Sequence, residues 1–158
     1  MPTKQKDACD LLDADHKAVK KMFTEFEELA ESRGSREKKR MLADKICREL
    51  TVHAQIEEEI FYPPVRKAIK EELMMNEAEV EHTTDKDLIS KIQEMGPDDA
   101  LFDATVFLLG EYFDLHVKEE RSEMFPKARA TKLDLIKMRD ALQSRKEELM
   151  AGLEQVAA

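Results

Sequence analysis

The chain has 158 residues and a formal net charge of −9, with 39% charged and 42% hydrophobic residues. This length suits a single domain over residues 1–158, and the low glycine and proline content favours helices over a turn-rich β fold. The acidic balance argues against nucleic acid or an anionic membrane as a partner, and no apolar run is long enough to span a bilayer.

The N-terminal segment MPTKQKDACD lacks the apolar core of a signal peptide, so we expect a cytoplasmic location. The two cysteines, Cys9 and Cys47, form neither a C-x-x-C pair nor a disulfide framework, and Cys9 continues an apolar helical stripe. Apolar spacing predicts a first helix over about 6–32, with Gly34 as the residue that ends it. Its stripe consists of Cys9, Leu12, His16, Val19, Phe23 and Phe26.

A second helix is predicted over about 36–62, because Pro63 and Pro64 must break or kink it. A short helix over 64–73 and a third long helix over about 75–94 follow. The inner stripes of the two long helices are Leu42, Ile46, Leu50, His53, Glu57 and Ile60, then Met75, Ala78, His82, Asp85, Ile89 and Ile92.

The stretch GPDD at 96–99 predicts a stop and a restart, and a fourth helix over about 98–124. A fifth amphipathic helix over about 132–155 packs on the bundle or mediates dimerisation. Short connections imply antiparallel neighbours. The expected fold is therefore all-α: an up-down-up-down bundle over about 6–127 with an additional C-terminal helix. The fourth stripe contains Leu101, Val106, Leu109, Phe113, His116 and Glu120.

Two distant stretches share one pattern, namely HAQIEEEIFYP at 53–63 and HVKEERSEMFP at 116–126. Each begins with His, has Glu four residues later, and ends in an aromatic residue followed by Pro. Residues four apart on a helix lie side by side. His53 therefore projects with Glu57, and His116 with Glu120, while we interpret the aromatic–Pro ends as plugs of the bundle end.

The four histidines of the chain fall at matching heights in such a bundle. The midpoint between His16 and His53 lies in the turn RGS, and that between His82 and His116 lies in or beside GPDD. The layer would contain four imidazoles and two carboxylates. A buried carboxylate without a partner is unfavourable, and two buried carboxylates repel each other. A pair of metal cations would resolve this repulsion, and the mixed ligands suit iron, manganese or zinc better than calcium.

Each element of this pattern is weak by itself, because a lone histidine on a helical stripe is more often part of the core than a ligand. The conjunction of all four histidines with two H-x-x-x-E spacings favours a metal site. The ferritin-type pattern needs two E-x-x-H spacings, and only Glu79–His82 is present. The zinc-protease motif, a glycine-rich phosphate loop and a Cys–His nucleophile pair are not evident.

Four segments resemble the motifs of the hemerythrin-like, HHE cation-binding family, in the same order, over about residues 8–127. They are LLDADHKAVKKMF, HAQIEEEIFYP, EVEHTTDKDL and HVKEERSEMFP. The resemblance implies an oxo-bridged, non-haem centre of two iron ions, with zinc or manganese as substitutes. It implies that the bridging carboxylates are Glu57 and Glu120. The implied terminal ligands are the four histidines, His16, His53, His82 and His116.

One position departs from the oxygen-carrying members of this family, which have a second histidine where this chain has Lys86. The resemblance therefore implies an open coordination position on each iron, and favours redox chemistry or another ligand over simple oxygen carriage. Whether an additional side chain binds metal stays open for four candidates: Tyr62, Glu58, Glu81 and Glu119.

Three functions follow as hypotheses. The first is a di-iron protein that binds or reacts with O2, NO or H2O2, with or without turnover and with a redox partner protein. The second is a non-catalytic iron- or oxygen-sensing or iron-handling module that acts through a partner. The third is a metal-free structural bundle. The chain is expected to be a monomer or a homodimer.

Overall fold

Every helix predicted from the sequence is present, although several boundaries differ. The computed structural model describes residues 5–157, and side chains over residues 5–153. Residues 1–4 and 158 of the predicted single domain lie outside the described residues. The α-helices are α1 (Ala8–Glu31), α2 (Arg36–Ile56), α3 (Tyr62–Ile69), α4 (Glu72–Glu94), α5 (Phe102–Glu119), α6 (Phe125–Arg129) and α7 (Leu135–Ala157).

Local interactions determine where the first helix, α1, begins and ends. Asp7 caps it through a reciprocal pair of hydrogen bonds with Asp10, each 3.0 Å long. At the other end Arg33, not the predicted Gly34, adopts a left-handed backbone with φ 54°. A Cβ at Gly34 would lie 2.8 Å from Leu29 Cδ2 and 3.2 Å from the Leu29 carbonyl oxygen, so a larger residue there would require Leu29 to shift.

The prolines after each H-x-x-x-E motif do not end the helix, contrary to the expectation for Pro63. A π-helical turn instead joins α2 to α3 over Glu57–Phe61, and a second joins α5 to α6 over Glu120–Met124. In each turn the last bond spans five residues, from the Tyr62 amide to the Glu57 carbonyl and from Phe125 to Glu120. The wider turn accommodates the following proline ring, which α geometry would bring against the preceding turn.

Helices α1, α2, α4 and α5 form the predicted four-helix bundle. Helix α1 packs against α2 and α5, and α4 packs against α5 and α2. Of the two alternatives for the C-terminal helix, packing on the bundle is observed, since α7 lies against α1 and α2. Leu101 was predicted to face inward but precedes α5 and is 63% exposed.

The apolar interior consists of two clusters with a polar layer between them. The cluster near the α1–α2 and α4–α5 turns includes Phe23, Phe26 and Phe102. The cluster at the opposite end includes Phe61 and Phe125. The histidines fall between these clusters on all four helices. Cys9 is fully buried, as its stripe position predicts. Among residues 5–157, no helix combines the length and apolar character needed to cross a bilayer.

Candidate metal centre

Six side chains from four helices meet in the polar layer, and each is at most 5% exposed. His16 on α1 and His53 on α2 bring their Nε2 atoms to 3.1 Å of each other. His53 Nε2 lies 2.9 Å from Glu57 Oε1, and His116 Nε2 lies 2.5 Å from Glu120 Oε1. The structure therefore brings together the side chains that were predicted to converge: His16, His53, Glu57, His82, His116 and Glu120.

The ligand atoms fall into two groups, and within each group all atoms lie within 4.8 Å of one another. The first group comprises His16, His53, Glu57 and Glu120, and the second comprises Glu57, His82 and His116. Glu57 belongs to both. Glu120 also spans them, since its Oε1 atom lies 3.6 Å from His16 Nε2 and beside His116.

The carboxylates of this layer fit bound cations. Both oxygens of Glu57 and both of Glu120 are buried, and none makes a well-aligned hydrogen bond among the described residues, although imidazole nitrogens lie 2.9 Å from Glu57 and 2.5 Å from Glu120. Leaving buried carboxylates unpaired is costly, whereas a cation between imidazole nitrogens and carboxylate oxygens compensates them. The π-turns contribute to this arrangement, because Glu57 and Glu120 are each the first residue of one. Such turns are frequent at functional sites.

Two imidazoles of the layer, those of His53 and His82, have raised pKa values. Burial by itself would lower the pKa of His53, but the charge of Glu57 and the hydrogen bond with Asp15 raise it to about 10. Burial also opposes the charged form of His82, yet Glu57 and Glu58 raise its pKa to about 9. Both values lie above neutral pH, so cations must displace protons when they bind these imidazoles.

The outward ring nitrogens of two histidines face carboxylates on a neighbouring helix. His53 Nδ1 lies 3.2 Å from Asp15 Oδ2, and His116 Nδ1 lies 2.5 Å from Glu81 Oε2. Such contacts fix the orientation of the ring and leave Nε2 free for metal. Asp15 and Glu81 occupy equivalent positions in the two halves of the bundle: Asp15 immediately precedes His16, and Glu81 immediately precedes His82. Glu81 had been a candidate extra ligand, while Asp15 was missed.

Two lysines complete this outer network, and neither enters the layer. Lys146 on α7 contacts Asp15 at 2.6 Å, so the C-terminal helix is connected to His53 through one carboxylate. Lys86 contacts Glu58 at 2.6 Å, and its side chain is 55% exposed. Lys86 thus pairs at the surface and leaves the second group to Glu57, His82 and His116.

The aromatic residues before the two prolines differ in their relation to the site. Phe125 stacks on His16 with the ring centroids 6.1 Å apart. Tyr62 packs against His82, and its hydroxyl lies 3.2 Å from the Nε2 atoms of both His82 and His116. Burial raises the pKa of Tyr62 well above its usual value. The predicted structural role of the aromatic residue before proline therefore applies to Phe125. Tyr62 instead places a protonated hydroxyl beside His82 and His116 of the second ligand group.

A narrow cavity of about 20 Å³ lies beside three of the imidazoles, those of His53, His82 and His116. Its other walls combine the apolar side chains of Leu50, Ala54, Ile89 and Phe113 with the polar residues Thr51, Asp85 and Lys86. Burial raises the pKa of Asp85 to about 6. The cavity has room for about one water-sized molecule.

Replacing Asp15 with Ala is expected to lower the metal affinity of the first group by about 10–100-fold, because the outer partner of His53 is lost. Competition with a chromophoric chelator measures this change. Asp44→Ala is the matched control, since Asp44 pairs with Arg40 at the surface. Equal affinities in the two variants would show that Asp15 does not position His53 for metal.

Comparisons with known proteins bear on the family and the fold of the chain. A family model described as "Hemerythrin HHE cation binding domain" matches residues 7–156. A Nostoc protein named DNA nickase is 30% identical over 120 residues, covering 73% of this chain and 32% of that protein. The chain thus spans about a third of that relative. A crystal structure of a hemerythrin HHE cation-binding domain-containing protein from Mycobacterium kansasii has a TM-score of 0.76 at 19% identity, covering 94% of this chain and 90% of that one.

Proposed function

The chain belongs to the hemerythrin HHE cation-binding domain family, and we propose that its buried layer holds two iron ions and binds or reacts with O2, NO or H2O2. The observation that carries this proposal is Glu57, a buried carboxylate that makes no well-aligned hydrogen bond and belongs to two groups of imidazole nitrogens. A carboxylate shared in this way serves two cations better than one.

The proposed ligands divide between the halves of the bundle. His16 and His53 would hold one iron and His82 and His116 the other, with Glu57 and Glu120 as the carboxylates that would compensate the charge of both. Imidazole and carboxylate also accept zinc and manganese, which are the expected substitutes. When bound, iron supplies a redox change and a position at which a small ligand binds.

The surroundings of the imidazoles support a small ligand. The cavity beside His53, His82 and His116 has a volume of about 20 Å³, room for about one water-sized molecule, which suits a very small ligand and is too small for an organic substrate. Leu50, Ala54, Ile89 and Phe113 form the apolar part of its wall. Tyr62 keeps its proton at neutral pH and is placed to donate a hydrogen bond into the second group.

Metal analysis of protein produced in iron-supplemented cells tests the proposal. We expect two irons per chain and a visible absorption spectrum that NO or H2O2 changes. A His53→Ala variant is the comparison, with its metal content and spectrum expected to be strongly reduced. Peroxide consumption separates a reactive centre from a sensing or iron-handling module, which would show the spectral change without consumption. Protein that stays metal-free after anaerobic reconstitution with Fe(II) would refute the proposal.

The activity named for the Nostoc relative is not part of this proposal. The chain covers only 32% of that protein. Its net charge of −9 also disfavours contact with the phosphate backbone of nucleic acids.

A further inference from the structure

An open cleft of about 420 Å³ reaches the buried layer between the start of α4 and the second π-turn. Its inner wall contains His116 and Glu120, and its outer part contains Glu71, Glu77, Glu119 and Glu123. At about 30 Å³ for each water molecule, the cleft holds on the order of ten waters. A hydrated cation therefore fits the cleft, although it is too large for the cavity of about 20 Å³ that His116 also lines.

We infer that this cleft is the entry route by which divalent iron reaches the layer, an inference that rests on the proposed function. Glu120 is the main support for this entry route. Its side chain is 1% exposed and lines the cleft, and its two carboxylate oxygens make no well-aligned hydrogen bond. The inner wall of the cleft is formed by Glu120 and His116, whose Oε1 and Nε2 atoms lie 2.5 Å apart, so a cation at its inner end is next to two of the proposed ligands.

The charges along the cleft favour cations. Glu77 and Glu123 are exposed at its mouth, and the cationic residue of its lining, Lys127, is paired with Glu71 at 3.3 Å. A cleft lined by one sign of charge raises the local concentration of ions of the opposite sign and their rate of entry. The cleft is therefore electrostatically suited to admit Fe(II) and to repel anions.

Two other clefts that reach the layer have a different charge. The cleft at His16 is lined by Lys17, Lys20 and Arg121 together with two aspartates. The cleft at Tyr62 has Arg66 and Lys67 opposite two glutamates. Neither has the excess of carboxylates found beside Glu120, and their volumes of about 300 and 310 Å³ are smaller than that of the acidic cleft.

The rate of Fe(II) uptake by metal-free protein tests the inference under anaerobic, low-salt conditions. We expect the double variant Glu77→Gln/Glu123→Gln to take up iron at least about fivefold more slowly than the parent, with the same final stoichiometry. The uptake rate of the parent should also fall more steeply with added salt. Glu25→Gln/Glu27→Gln makes the same change in net charge on exposed residues of α1, and its rate should match the parent. Lys127→Gln should accelerate uptake.

The outcomes separate this inference from the proposed function. Equal uptake rates in the cleft variant and the α1 control would overturn the entry route while leaving the metal centre intact. A folded cleft variant with lowered final stoichiometry would also overturn it, because Glu77 and Glu123 would then be needed to hold iron. Failure of the parent itself to take up iron would refute the proposed function.

Discussion

Glu57→Gln protein is expected to lose most of its bound metal, with affinity falling more than about 100-fold. Loss of an outer partner of a ligand typically costs about 10–100-fold, and Glu57 is proposed to touch both cations directly. The substitution preserves the volume of the side chain and removes the charge that compensates the cations. Metal content after dialysis against a chelator measures the loss.

Thermal unfolding provides a second measurement for the same variant. A ligand that binds only the folded state raises its stability, so metal should raise the melting temperature of the parent and have little effect on Glu57→Gln. Glu59→Gln is the matched control, since Glu59 lies two residues away in the same π-turn and pairs with Arg145 at 2.8 Å on the surface. Full metal occupancy in Glu57→Gln would exclude Glu57 as a ligand.

Phe61→Ala is expected to lower the free energy of unfolding by about 3–5 kcal/mol, through lost burial and the cavity left behind. Phe61 is fully buried in the apolar cluster next to the metal layer. Its ring lies 6.0 Å from that of Tyr62 and 5.8 Å from that of Phe125, centroid to centroid. Urea unfolding of metal-free protein measures the change without a contribution from bound cations.

The control for this prediction is Phe107→Ala, because Phe107 is 36% exposed and contacts Phe26 at the other end of the bundle. We expect it to cost less than half as much. Phe61→Ala should also weaken metal binding, since the rings of Tyr62 and Phe125 that flank His82 and His16 lose their support. Equal destabilisation by the two substitutions would contradict this account of the packing around the site.

The convergence of the four histidines was predictable because helix geometry and short connections fix the heights of side chains. The midpoint between His16 and His53 placed both in one layer, and the structure brings their Nε2 atoms to 3.1 Å. The metal ligation itself stays a prediction. The role of Asp15 was not predictable, since the chain has 35 acidic residues and only the packing of α1 on α2 shows that this one faces His53.

The π-turns were missed for a physical reason. Apolar periodicity reports which face of a helix is buried, but one five-residue hydrogen bond changes that pattern very little. The sequence therefore predicts a break or a kink at Pro63 and Pro64, whereas the chain changes its hydrogen bonding at Glu57 and continues into α3. The repeated spacing from Glu to the aromatic–Pro pair in both halves was the available signal for this feature.

The polar layer divides the apolar interior into two clusters, and this division affects how the protein opens. Without cations, each end of the bundle has its own hydrophobic support, so the ends can exchange amide hydrogens with solvent through separate local openings. Cations held by side chains from all four helices would connect these openings. Bound metal would thereby determine how much of the bundle opens in a single step, in addition to the chemistry of the site.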